Sequence, residues 1–73
     1  MGEERHLRKR SFQLAGHRTS VALEAEFWVV LEAAAARRGQ SLAGLVTEID
    51  TARAGTARPL ASALRVFALA EKP

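Results

Sequence analysis

Along residues 17–23 apolar and polar positions alternate, placing Thr19, Val21 and Leu23 on one face and Arg18, Ser20 and Ala22 on the other, the period of a pleated strand. From residue 24 the period lengthens. Phe27, Leu31, Ala34 and Ala35 recur at helical spacing, with Val30 beside them and Trp28 one step off the stripe. They predict a helix over 24–38, with Glu24 and Glu26 in its first turn, Arg37 and Arg38 in its last, and Gly39 to end it. Trp28 in that position reads as a residue of the core rim or of a subunit contact. Leu42, Leu45, Val46 and Ile49 predict a second helix over 42–54, capped by Ser41 and ended by Arg53 and Gly55. Only Gly39-Gln40-Ser41 joins the two, so they are neighbours in a helix-turn-helix or an antiparallel pair. Pro59 opens a third helix over 59–71, with Leu60, Leu64 and Phe67 on one face and Val66 and Leu69 off it. Apolar surface that wide predicts burial over the chain's own core or against a partner.

Residues 1–9 are polar, charged and without period, a mobile basic arm ahead of a single domain over 10–73. Residues 10–14 alternate weakly, with Phe12 and Leu14 on one face, and Ala15-Gly16 offers a turn or bulge, so a short extra strand fits there. The strand at 17–23 needs a hydrogen-bonding partner, either that segment or a second copy of the protein. Ala-Gly is a weaker hairpin signal than Asn-Gly or Asp-Gly. The second copy is therefore the expected partner and the intrachain hairpin its rival. The fold class expected is mainly α with one short ribbon strand.

Composition narrows the function. A chain of 73 residues buries only about 60% of its unfolded surface. It has no cysteine for disulfides, and His6 and His17 stand apart without partners, so neither a metal nor a cofactor is expected and oligomerisation is the remaining support. No apolar run is long enough for a membrane span or suited to a signal peptide, which leads to the expectation of a soluble, cytoplasmic protein. The net charge is +3, and through residue 18 five basic residues (Arg5, Arg8, Lys9, Arg10, Arg18) face only Glu3 and Glu4, so the whole excess lies there. That placement suits a polyanion and equally a solvated tail; charge by itself does not separate the two. Ser, His and Asp form no nucleophile and base arrangement, and the carboxylates read as helix-end and surface charge, so an enzyme is not expected.

Strand, helix, Gly-x-Ser corner and second helix together resemble a ribbon-helix-helix domain of the Arc and MetJ type. The residues that carry the likeness are Arg18-Thr-Ser-Val-Ala-Leu-Glu24, then Glu26-Phe-Trp28, and Arg38-Gly-Gln-Ser-Leu42, within a match over about 17–54. The leading Arg10-Ser-Phe-Gln-Leu segment and the Leu60-Ala-Ser-Ala-Leu tail are similar to a small bacterial subgroup of that family, with an added C-terminal helix.

The resemblance implies a homodimer on double-stranded DNA, whose two chains pair their strands antiparallel and insert the ribbon into the major groove. Arg18, Ser20 and Ala22 of each chain would then read bases, with Ala22 departing from the polar residue common at that place. By itself Arg18 reads as a solvent-facing strand residue; the family pattern makes it a base reader. Phosphates would fall to the start of the second helix, Ser41, Leu42 and Ala43, and to Arg5, Arg8, Lys9 and Arg10. Thr19, Val21, Leu23, Phe27, Leu31, Leu45, Val46 and Ile49 would form the dimer core. The function implied is a transcriptional repressor that occupies an operator. The alternative is a dimeric protein-interaction module, antitoxin-like or a regulatory adaptor, which grips a second protein with its C-terminal helix.

Overall fold

The computed structural model describes residues 7–71. Its elements are β1 (Leu7–Leu14), β2 (His17–Glu24), α1 (Ala25–Arg37), α2 (Leu42–Ala52) and α3 (Leu60–Ala70). Two expectations are corrected here. There are two strands where one was expected, and β2 finds its partner within the chain: β1 pairs with it antiparallel along its whole length, from Leu7 opposite Glu24 to Leu14 opposite His17. Residues 7–9, assigned from the sequence to a mobile arm, belong to β1, while residues 1–6 lie outside the described part.

The turn explains how the intrachain pairing forms. Ala15 and Gly16 both take positive φ, 49° and 85°. Tight two-residue hairpin turns with positive φ at both positions match the twist of the flanking strands. Glycine adopts that conformation freely and alanine only with strain. Burial offsets the strain, because the hairpin turns Phe12 and Leu14 of β1 into the core beside Val21 and Leu23 of β2.

The three helices marked by the hydrophobic period are present, and they cover one face of the hairpin, with α2 against β1, and α1 and α3 against β2. Arg38 and Gly39 close α1 in a left-handed corner: Gly39, at φ 68°, and Gln40 donate back to the carbonyls of Ala36 and Ala35. Ser41 then starts α2 at once, its Oγ accepting from Gly44 N at 3.0 Å. Between α2 and α3, Arg53 bonds Asp50 on its own helix and donates to the Arg58 carbonyl, fixing the corner ahead of Pro59.

Leu23, Leu31, Leu45, Val46 and Leu64 are fully buried, joined by Val21 and Ile49, while Thr19 and Phe27 are half-buried. Trp28 requires a correction. It is 2% exposed and sits in the centre of the core, not at its rim. Its ring meets Phe12 of β1 at 5.9 Å, and its Nε1 donates to the Arg8 carbonyl at 2.8 Å. The strand that covers it is the one whose pairing the sequence left open.

Candidate nucleic-acid interface

Alternation along the two strands sorts the hairpin's polar residues onto two faces. Arg8 and Arg10 share the inward side of β1 with Phe12 and Leu14; Lys9, Ser11 and Gln13 face away from the helices. On β2 the outward residues are Arg18, Ser20 and Ala22. The register sets Lys9 opposite Ala22, Ser11 opposite Ser20 and Gln13 opposite Arg18. One continuous polar face results, exposed throughout except for half-buried Ala22. At its middle the two serine hydroxyls are bonded to each other at 2.8 Å.

The hairpin holds four basic residues, Arg8, Lys9, Arg10 and Arg18, against Glu24 alone, four minus one giving +3. These cations are not equivalent. Arg10 lies over the Trp28 ring at 5.2 Å and is bonded to Glu32 of α1, so its charge is committed within the fold. Arg8 stays exposed on the same inward side, beside α1 at the open end of the hairpin. Glu24, where the strand passes into α1, receives Arg65 of α3 at 3.3 Å, which draws its charge toward the helices. Lys9 and Arg18 are thus the two cations on the outward face. Arg5 lies outside the described residues.

The start of α2 offers a second place for an anion. The first N–H groups of a helix have no intrahelical acceptor, and the helix dipole adds positive potential there. Ser41 Oγ already accepts from Gly44, leaving the N–H groups of Leu42 and Ala43, and no acidic residue stands in this first turn. What the arrangement can do chemically is bind: a donor-rich ribbon face, and a helix start suited to a phosphate oxygen. Among the described residues there is no group of three or more His, Cys, Asp or Glu placed to hold a metal ion. Nor is any helix there long and apolar enough to cross a membrane.

Alternation along 17–23 places the outward residues of β2, whereas Ser11 and Gln13 of β1 join that face only through the hairpin register. The available signal was the Phe12 and Leu14 alternation, which fixes the opposite parity for Ser11 and Gln13 once the hairpin is accepted. Comparison with known proteins agrees with the architecture: the profile of a family described as a ribbon-helix-helix domain matches residues 7–71. No curated protein and no solved structure matches the chain.

Proposed function

Because the chain belongs to the ribbon-helix-helix family, a family of DNA-binding transcription regulators, we propose that it binds double-stranded DNA with a sequence preference and represses transcription by occupying an operator. The observation that carries this reading is the outward face of the hairpin. It is a two-stranded ribbon, the width a major groove admits, with Arg18 and Ser20 exposed on it and its acidic neighbour Glu24 drawn toward α3. Arg18 donates two hydrogen bonds to guanine O6 and N7, Ser20 contacts its neighbour, and Ala22 packs on a thymine methyl. Leu42 and Ala43 at the start of α2 hold one phosphate and Lys9 and Arg8 hold others, contacts that position the ribbon without reading sequence.

Members of this family generally bind DNA as dimers, and the assembly proposed for this chain is a homodimer. β1 pairs with one edge of β2 and leaves the other free, and α3 adds an apolar surface for the contact between copies. Val66 and Leu69 of α3 are 49% and 59% exposed, and Val66 lines an apolar cleft of about 380 Å³ with Ile49, Ala52 and Phe67.

Fluorescence anisotropy with the duplex upstream of the protein's own gene and a random duplex, across a salt series, tests the reading. The upstream duplex should bind more tightly, log affinity should fall linearly with log salt, and Arg18→Ala should erase the preference at a cost of about 1–3 kcal/mol. Absence of binding to either duplex near physiological salt overturns it.

A further inference from the structure

Ser20 stands at the middle of the outward face of β2, between Arg18 and Ala22, and opposite it lies Ser11 of β1, whose hydroxyl is bonded to its own at 2.8 Å. Among the described residues neither Arg18 nor Ala22 has a side-chain bond to the residue opposite it on β1. Ser20 is therefore the outward residue of β2 whose side chain the neighbouring strand holds. The order β1-β2 leaves the far edge of β2 free. A second copy lying along that edge would leave the serine pair intact.

A serine hydroxyl carries one proton to donate and two lone pairs, and it rotates to suit its surroundings. Left alone it serves several bases, donating to guanine O6 or thymine O4, or accepting from the amino group of cytosine. The bond to Ser11 narrows that choice. Whichever hydroxyl donates, the bond favours one rotamer of Ser20 and takes up its proton or one of its lone pairs, so its oxygen faces outward with fewer partners open to it. A side chain already held in place also loses less freedom when it meets a base. We propose that Ser11 is a positioning residue for recognition: it fixes the Ser20 hydroxyl from the neighbouring strand and so sharpens the choice made at one base pair, without itself touching the base. The inference rests on the DNA-binding reading and gives β1 a part in specificity that its charge does not supply.

The test is selection of preferred duplexes from a randomised library by the full chain and by Ser20→Ala, Ser11→Ala and Ser11→Thr, followed by affinity measurement on the selected site and on its single-pair variants. Ser20→Ala should lose the preference at one pair and thereby identify it. Ser11→Ala should relax the preference at that same pair by about two- to tenfold, the worth of one hydrogen bond. Every other position, and the slope of log affinity against log salt, should stay as in wild type. Ser11→Thr, which keeps the hydroxyl, should retain the preference. A purely structural Ser11 would lower the urea midpoint and leave the choice of base alone. Should Ser11→Ala keep the full preference at the pair that Ser20→Ala loses, or lose it at a different pair, Ser11 does not position Ser20 and the inference falls, with the DNA-binding reading intact. The same holds if Ser20→Ala loses no preference while Arg18→Ala does. Should wild type select no site and bind no duplex, both fall together.

Discussion

Arg10 and Lys9, adjacent in sequence, show how strand parity decides what a charge does. Arg10 points toward α1, where Trp28 and Glu32 hold it; Lys9 points away with Arg18. An exposed ion pair stabilises by less than about 1 kcal/mol, so the interest of Arg10 is that its charge is already committed. Replacing Lys9 by alanine should lower the slope of log affinity against log salt by about 0.9, the value of one released phosphate contact. Arg10→Ala should leave that slope unchanged, and equal slopes for the two variants would contradict the assignment. Trp28 belongs to the same scale. Its neighbour Phe27 fits the helical stripe as well, and Phe27 is instead half-buried with Arg65 near its ring. Position along α1 alone does not choose between them; contact with Phe12 and the Arg8 carbonyl does.

At the scale of elements, the turn at Ala15-Gly16 determines the whole ribbon. Since Ala15 holds φ 49°, Ala15→Asn should convert a strained turn into the favoured Asn-Gly pair and raise stability by about 1 kcal/mol, read as a higher urea midpoint with an unchanged slope. Gly16→Ala, at φ 85°, should lower it by a similar amount. An unmoved midpoint in both would show that the turn is not formed as described. The same turn marks where sequence reading stopped. β2 was readable because Thr19, Val21 and Leu23 alternate against a buried layer, and the helices because their apolar residues keep one period. The front of β1 was not. Leu7-Arg-Lys-Arg10 has no apolar alternation, since its inward residues lie over the edge of α1 and its outward ones face solvent. With that half hidden and only a weak turn signal, the pairing of β2 could not be settled, and Ser11 and Gln13 went unnoticed as part of the face that Arg18 shares.

For the whole molecule, the proposed reading puts DNA on the outward face of the hairpin and gives α3 a part in the contact between copies. Within the chain the core runs from Phe12 of β1 to Ala68 of α3. On the proposal that copies meet through α3, Val66→Asp with Leu69→Asp should shift sedimentation from dimer to monomer while leaving the circular dichroism spectrum unchanged. A dimer that survives both substitutions would place the contact elsewhere. The central claim is that the outward ribbon face is the surface that meets DNA, and amide chemical-shift mapping of ¹⁵N-labelled protein titrated with its upstream duplex tests it most directly. Perturbations should concentrate at Lys9, Ser11, Gln13, Arg18, Ser20 and Ala22 and at Leu42 and Ala43, with α3 quiet. Perturbations confined to α3 or to the α2–α3 cleft, with the ribbon unmoved, would contradict it.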